Sequence, residues 1–144
     1  TPYAVDSRPF ISPLGYPCHA PPWGELAAID LKSQKVKWRR PLGTTEEVAP
    51  LGLTLPTGVF NIGGPITSSQ GLIFIGAAID DYIRAFDIDN GEELWKARLP
   101  AGGQATPISY VSSSGEQYVV IAAGGHAPLD TKLGDYLLAY KLPN

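Results

Sequence analysis

The 144-residue chain contains a single cysteine, Cys18, so no disulfide can form within it. It has no apolar run approaching the ~20 residues that a helix needs to cross a bilayer, and no signal peptide opens it. Basic residues are also few. The 11 lysines and arginines stand against 14 aspartates and glutamates, and the net charge is -3. No basic stripe of the kind that follows a phosphate backbone is present, so no nucleic-acid partner is expected.

Glycine and proline, by contrast, are abundant, with 16 and 14 residues. Both residue types disfavour the interior of a helix, so their number favours short strands joined by turns. With 44% hydrophobic and 17% charged residues, the composition is that of a folded protein rather than a disordered one. We therefore expect an all-β fold.

A repeat with an offset of 57 residues links two parts of the chain. The segment Ala28–Trp38 matches Ala85–Trp95, with alanine, aspartate and tryptophan at the same places, and Asp135–Tyr140 resembles Asp81–Phe86. Each copy predicts a hairpin in which the aspartate accepts backbone N–H groups of the turn. The tryptophan is large and flat, which suits it to pin one sheet against the next.

Turn and strand signals agree with this interpretation. Asn90-Gly91 predicts a two-residue hairpin turn, because both residues tolerate positive φ, and the segments on either side of it alternate between apolar and polar residues. Nine strands are predicted in all: two around Glu25–Leu42, four across Pro65–Leu99 and three across Thr106–Leu142.

Four short strands in a unit of roughly 40 to 60 residues are typical of a β-propeller blade. The expected fold is therefore a partial β-propeller of about two to three four-stranded blades. A ring so incomplete would leave apolar faces and strand edges uncovered. The chain, which begins at Thr1 without a methionine, is thus expected to be a fragment or to be covered by another copy of itself.

The pattern Ala-x-Asp-x-x-x-Gly-x-x-x-Trp at Ala85–Trp95 resembles the tryptophan docking motif of pyrroloquinoline quinone (PQQ) dehydrogenases, although the earlier copy has Gln34 in place of the glycine. More specific stretches resemble the membrane-bound glucose dehydrogenases and the closely similar quinate/shikimate dehydrogenases. Together they span nearly the whole chain: Pro17–Gly24, Gly63–Thr67, Leu99–Pro107, Tyr118–His126 and Thr131–Tyr136.

The resemblance implies that residues 1–144 are the C-terminal part of a single eight-bladed catalytic propeller. In that family the enzyme is periplasmic and is anchored to the inner membrane by an N-terminal region absent from this chain. It oxidises a sugar or related polyol, with glucose expected here and quinate or shikimate as the alternative. PQQ is held beside a divalent metal, Mg²⁺ or Ca²⁺, and electrons pass to ubiquinone. The implied partners are the rest of the propeller or another copy of the chain, the polyol and ubiquinone.

Two residues are expected to bind the cofactor by this resemblance. His126 occupies a position at the PQQ pocket, where an imidazole can bond a PQQ carboxylate or steer substrate; alternatively it only caps its loop. Asp80 matches an aspartate associated with cofactor affinity, through a hydrogen bond or by bracing a neighbouring cation. Alternatively Asp80 accepts turn N–H groups, and Asp81 is interpreted as structural. No catalytic base or metal ligand is expected in this chain, since the resemblance implies that the family motifs that carry them lie upstream of Thr1.

A function of another class shares the same repeats. Non-enzymatic propeller scaffolds that assemble outer-membrane proteins carry similar tryptophan motifs without a quinone. Such a scaffold explains the repeats but not the stretches Gly102–Pro107 and Gly124–His126. The glycines Gly102-Gly103 would let the backbone approach a planar cofactor, or would form a tight crossover between blades.

Overall fold

The computed structural model describes residues 3–4, 10–47 and 54–141, and within these ranges the chain forms nine strands. They are β1 Glu25–Asp30, β2 Lys35–Pro41, β3 Ile66–Thr67, β4 Leu72–Ile75, β5 Tyr82–Asp87, β6 Glu93–Arg98, β7 Ile108–Val111, β8 Gln117–Ala123 and β9 Tyr136–Lys141. A 3₁₀ helix, Ala127–Leu129, lies between β8 and β9. None of the helices in the described ranges has the length and apolar character needed to cross a bilayer.

The strands form three antiparallel sheets that follow the chain order. The first sheet is β1-β2, the second is β3-β4-β5-β6, and the third is β7-β8-β9. Within each sheet the strands pair in sequence order, so the first sheet is a hairpin and the other two are meanders. The predicted grouping into two, four and three strands is confirmed, and with it the all-β, partial propeller fold.

The two central strands of the second sheet, β4 and β5, are buried on both faces. Ile73 and Ile75 of β4 pack into a cluster shared with the first sheet, whereas Phe74 packs into a cluster shared with the third. Side chains alternate across a strand, so a strand covered on both sides needs an apolar residue at every position. This explains the uninterrupted apolar sequence of β4 and places the two cores between successive sheets.

The outer faces of the first and third sheets carry apolar residues that the described residues do not cover. Ile29 of the first sheet is 59% exposed, and Ile108 and Leu137 of the third are 61% and 75% exposed. Contiguous exposed apolar surface marks a place where another surface packs. The stack of sheets is therefore unfinished at both faces, as the sequence predicted for a partial propeller.

Connections alternate between two ends of the sheets because consecutive strands run antiparallel. The connections at one end, here called the turn end, are residues 31–34, 68–71, 88–92 and 112–116. The connections at the opposite end, called the loop end, are residues 42–47 and 54–65, 76–81, 99–107 and 124–135.

The repeat aspartates close the turns as predicted. Asp30 Oδ1 accepts the backbone N–H of Lys32 at 2.8 Å and that of Ser33 at 2.9 Å, and these bonds lower the pKa of the Asp30 carboxyl. The equivalent Asp87 Oδ1 accepts the backbone N–H of Asp89 at 2.7 Å. Both hairpins therefore begin with the same local arrangement.

The hairpin predicted at Asn90-Gly91 is present, but the expected two-residue loop is wrong. The loop contains residues 88–92, because Asp87 Oδ1 accepts the backbone N–H of Asn90 and the turn therefore starts directly after Asp87. The N–H of Gly91 then returns to the carbonyl oxygen of Asp87 at 2.9 Å.

The predicted contact between a repeat tryptophan and the next sheet is present at Trp38. Its indole N–H donates to the carbonyl oxygen of Ile88 at 2.9 Å. Gly91 lies beneath the ring, where an added Cβ would be 2.6 Å from Trp38 Cε3. In the next copy Trp95 meets Tyr140 edge-on, with ring centroids 5.1 Å apart. Each tryptophan thus joins its own sheet to the following one.

Candidate cofactor site

Three connections of the loop end meet and carry the residues predicted to bind a cofactor. Asp80 lies in the first of them and His126 in the last, and Gly102-Gly103 lies in the one between. We call these connections the aspartate loop, the crossover and the histidine loop: residues 76–81, 99–107 and 124–135.

Backbone hydrogen bonds hold the crossover to both loops. The N–H of Ala77, in the aspartate loop, donates to the carbonyl oxygen of Gly103 at 2.8 Å. The N–H of Gly125, in the histidine loop, donates to the carbonyl oxygen of Gly102 at 2.9 Å. The crossover therefore forms the central strip of this site, with one loop on each side.

Gly102 and Gly103 of the crossover stand where a side chain would clash with neighbouring protein atoms. An added Cβ at Gly102 would lie 2.4 Å from Gln104 Oε1 and 2.6 Å from Thr131 Oγ1. At Gly103 it would lie 2.3 Å from Leu99 Cδ1. Of the two interpretations of these glycines, the structure supports the tight crossover between sheets.

His126 presents a buried polar atom that lacks a partner. Its backbone N–H donates to Thr131 Oγ1 at 2.7 Å, but its ring Nδ1 is buried and hydrogen-bonds to none of the described residues. The residue precedes the 3₁₀ helix without making a side-chain capping bond, so the geometry does not support a capping role. A buried ring nitrogen left in this way costs free energy unless another group satisfies it. A polar atom of a ligand, such as a PQQ carboxylate oxygen, would satisfy Nδ1 once the protein atoms that bury it had moved aside.

Asp80 is fully buried and is engaged inside the chain. Its Oδ1 accepts from Arg84 Nη1 at 3.0 Å, and its Oδ2 pairs with Arg84 Nη2 and accepts the backbone N–H of Thr44 at 2.8 Å. Because the residue is 0% exposed, nothing can reach this carboxylate without displacing a neighbour. The cation next to Asp80 is thus Arg84, and the role of Asp80 toward a cofactor stays a prediction.

The cation that Asp80 braces is itself shielded from water. The Arg84 side chain is 2% exposed, and its Nε donates to Glu93 Oε2 at 3.0 Å. The two carboxylates raise the pKa of Arg84 against the opposing effect of burial. This ion pair fixes the aspartate loop to strands β5 and β6.

Asp81 is a buried acid whose position the sequence does not reveal. It is 7% exposed, its backbone is left-handed with φ 56°, and its Oδ1 lacks a hydrogen-bond partner among the described residues. Burial, followed by the nearby charge of Glu47, raises the pKa of its carboxyl. The interpretation of Asp81 as structural came from its place in a hairpin. The neighbouring residues in the sequence do not indicate that its side chain is buried.

Asp81 opens onto a cleft of about 1060 Å³. The cleft combines apolar and charged side chains of the aspartate loop, the crossover and the histidine loop, which include Ile79, Leu99, Asp130 and Lys132, with Arg98 at the end of β6. His126 does not line this cleft. In the part of the chain that the structure describes, no three His, Cys, Asp or Glu side chains are grouped so that they could hold a metal ion.

Comparison with known proteins gives one family. The sequence model of the β-propeller domain of PQQ-dependent glucose, ethanol and alcohol dehydrogenases matches residues 1–119. The chain is 50% identical over 146 residues to the quinoprotein glucose dehydrogenase A of Acinetobacter calcoaceticus, which covers 99% of this chain and 18% of that protein. It is also 50% identical over 149 residues to a probable quinate dehydrogenase (quinone) of Xanthomonas campestris pv. juglandis, covering 100% of this chain and 19% of that protein.

A solved structure shares the fold. The quinohemoprotein alcohol dehydrogenase of Pseudomonas putida HK5 superposes with a TM-score of 0.51 and 31% identity, over 69% of this chain and 12% of that one. The chain spans about a fifth of the length of the curated relatives that it matches.

Proposed function

The chain belongs to the β-propeller family of PQQ-dependent glucose, ethanol and alcohol dehydrogenases, and we propose that residues 1–144 form the C-terminal part of one catalytic propeller. The two uncovered faces of the sheet stack support this, since each would pack against a neighbouring blade of an eight-bladed ring. The rest of the propeller is then the first partner of this chain. Another copy of the chain is the alternative partner.

The proposed activity of the intact protein is the oxidation of glucose with PQQ as the oxidant. The observation that carries this proposal is the buried Nδ1 of His126, which lacks a partner in the part of the chain that the structure describes. Half of the residues of this chain are identical to those of a quinoprotein glucose dehydrogenase. Bound PQQ would supply the two-electron oxidant that removes hydrogen from the substrate alcohol carbon. The non-enzymatic scaffold leaves this polar atom unexplained.

The residues of this chain would bind and orient rather than move the reacting proton. His126 would hydrogen-bond the cofactor or steer the substrate, and Asp80 would hold the neighbouring loop in place through Arg84. The base that takes the hydroxyl proton, and the ligands of a divalent metal such as Mg²⁺ or Ca²⁺, are proposed to come from other parts of the intact protein.

Quinate or shikimate is the second candidate substrate. The observation that favours it is that the probable quinate dehydrogenase matches this chain at the same identity as the glucose enzyme, 50% in each case. We further propose a periplasmic location at the inner membrane, with ubiquinone as the electron acceptor, as the resemblance to the membrane-bound branch implies.

Reconstitution of the intact protein tests this function. We expect the protein, loaded with PQQ and Mg²⁺ or Ca²⁺, to reduce a dye with glucose, and a parallel assay with quinate decides between the two substrates. His126→Ala should raise the PQQ concentration needed for half-maximal activity. If the protein binds no PQQ and oxidises neither compound, the proposed function is wrong. If His126→Ala leaves the PQQ dependence unchanged, His126 is not part of the cofactor site.

A further inference from the structure

We propose that Gln104 is a positioning residue that ties the histidine loop to the aspartate loop and so sets the place of His126 in the cofactor pocket. This inference rests on the proposed function. It goes beyond that function by linking the two residues expected to bind the cofactor, which share no hydrogen bond among the described residues.

The Gln104 side chain bridges the two loops with its amide group. Its Nε2 donates to the carbonyl oxygen of Ala78, in the aspartate loop, at 3.3 Å. Its Oε1 accepts from Thr131 Oγ1, in the histidine loop, at 3.2 Å. A backbone carbonyl can only accept, so the amide nitrogen must face Ala78 and the amide oxygen must face Thr131. The orientation of this side chain is thus fixed by its partners.

Thr131 links Gln104 to His126 through hydrogen bonds of its hydroxyl group. Its hydroxyl accepts the backbone N–H of His126 at 2.7 Å, which leaves the hydroxyl proton for Gln104 Oε1. The other acceptor near that proton, the carbonyl oxygen of His126, is farther away at 3.5 Å. Thr131 is 8% exposed, so water is not a ready substitute for either bond. A continuous chain of hydrogen bonds therefore joins Ala78 to the peptide of His126.

The aspartate loop is the fixed side of this bridge. Asp80, two residues after Ala78, is held by the buried pair with Arg84 and by the backbone N–H of Thr44. On the other side, the ring Nδ1 of His126 hydrogen-bonds to no residue in the described ranges. The placement of that ring therefore depends on how its backbone is held. Asp80 would then influence cofactor binding without touching the cofactor.

PQQ binding to the intact apoprotein, measured as a Kd by titration, tests the bridge. One hydrogen bond in a buried network corresponds to a change of about fivefold to tenfold in an equilibrium constant. We expect Gln104→Ala to raise the Kd for PQQ by that factor while kcat at saturating PQQ stays unchanged. Gln104→Glu, which keeps the acceptor for Thr131 but loses the donor to Ala78, should also raise the Kd.

The Thr131 variants show whether the bridge works through its hydroxyl. Thr131→Val keeps the shape and removes the hydroxyl, so the Kd should rise, whereas Thr131→Ser should restore it to within about twofold of the original protein. If both residues act through one chain of bonds, adding Gln104→Ala to Thr131→Val should weaken binding little further.

Ser68→Ala provides the matched control at the turn end, where Ser68 Oγ accepts the N–H of Leu72 at 3.1 Å. It should lower Tm without changing the Kd for PQQ. A Kd that stays constant in Gln104→Ala and Thr131→Val, even if Tm falls as in the control, would overturn the bridge and leave the proposed function standing. An unaltered protein that binds no PQQ would overturn both. If Gln104→Ala does not fold, the Thr131 pair decides the outcome.

Discussion

The turn end and the loop end of the sheets hold their backbone in different ways. At the turn end the partners are close in sequence, as where Asp30 binds the N–H groups of Lys32 and Ser33. At the loop end the partners that join one connection to another are far apart: Thr44 donates to Asp80 across 36 residues, and Gln104 donates to a carbonyl 26 residues away.

This difference separates the part of the molecule that builds the scaffold from the part that carries the proposed site. A turn closed by its own aspartate forms in each hairpin independently of the others. A loop closed by residues of another sheet takes shape only when the sheets have packed in the right order. Substitutions should therefore act locally at the turn end and spread between sheets at the loop end.

The largest effect is expected from Asp80→Asn at the loop end. The substitution leaves the buried guanidinium of Arg84 with Glu93 as its remaining carboxylate partner. Breaking a buried ion pair by removing one member costs roughly 3 to 5 kcal/mol. Thermal unfolding of the intact protein without PQQ should show a large fall in Tm.

The control for this change breaks an exposed ion pair near the turn end. Asp89 pairs with Lys37 at 2.6 Å, and both side chains are exposed, so Asp89→Asn should cost less than about 1 kcal/mol. Similar falls in Tm for the two variants would show that burial of the Asp80–Arg84 pair is not what makes it stabilising.

Gly91→Ala tests one of the contacts that the turn end makes between sheets. The residue has φ 70°, and an added Cβ would press against Trp38. We expect a loss of roughly 2 to 3 kcal/mol, from the left-handed backbone together with displacement of the indole ring. Urea or thermal unfolding of the intact protein measures the loss.

Gly115→Ala separates the cost of the left-handed backbone from the cost of displacing the indole ring. Gly115 has φ 83°, but an added Cβ there would meet nothing within 4 Å. The variant should therefore show the backbone cost alone, roughly 1 kcal/mol. If Gly91→Ala is no more destabilising than Gly115→Ala, the docked tryptophan contributes little to the joining of the sheets.

Asp81→Asn should stabilise the loop end in a pH-dependent way. The pKa of Asp81 is raised by burial and by Glu47 and Asp80, against the opposing effects of Arg98 and Lys132. The folded protein therefore holds this proton more tightly than the unfolded chain does. Ionisation of Asp81 therefore lowers the free energy of unfolding. This loss is absent below the ordinary pKa of 3.8 and grows as the pH rises through the raised pKa of the folded protein.

Asparagine does not ionise and also tolerates the left-handed backbone at this position. The gain in Tm of Asp81→Asn over the unaltered protein should thus be largest at neutral pH and should shrink as the pH falls toward 4 (about the ordinary value). A gain that is constant with pH would show that burial of the charge is not its cause.

The smallest effect is expected from Gln34→Gly in the first hairpin. Gln34 stands where the second hairpin has Gly91, and it adopts the same left-handed backbone with φ 57°. Glycine relieves that strain, so we expect a gain of roughly 0.5 to 1 kcal/mol in unfolding free energy. Gln34→Ala, which retains a Cβ, should give no such gain. Equal results for the two variants would show that the equivalent turns do not differ in strain.

The scaffold was largely predictable because its signals are local. The grouping of strands, the aspartate-closed turns and the tryptophan contact all follow from short stretches around Asp30, Asp87 and Trp38. The error in the loop after Asp87 was also local, since the side chain of that residue competes with the turn preference of Asn90-Gly91.

The candidate site was predictable in residue type but not in arrangement. His126 and Asp80 were singled out by resemblance to a family, and neither the burial of Asp80 against Arg84 nor the unpartnered Nδ1 of His126 could be read from their neighbours in sequence. The burial of Asp81 gave no signal, because an acid in a hairpin turn usually faces water.

The sequence by itself determined where strands form and where they turn, through alternating apolar residues, glycines and short carboxylate side chains that act within a few residues. The tertiary structure decided which loops meet. Gln104 reaches both Ala78 and Thr131 only because the second and third sheets stack in order and bring three connections to one end. Hydrogen bonds across tens of residues depend on that packing, and they place the residues of the proposed cofactor site.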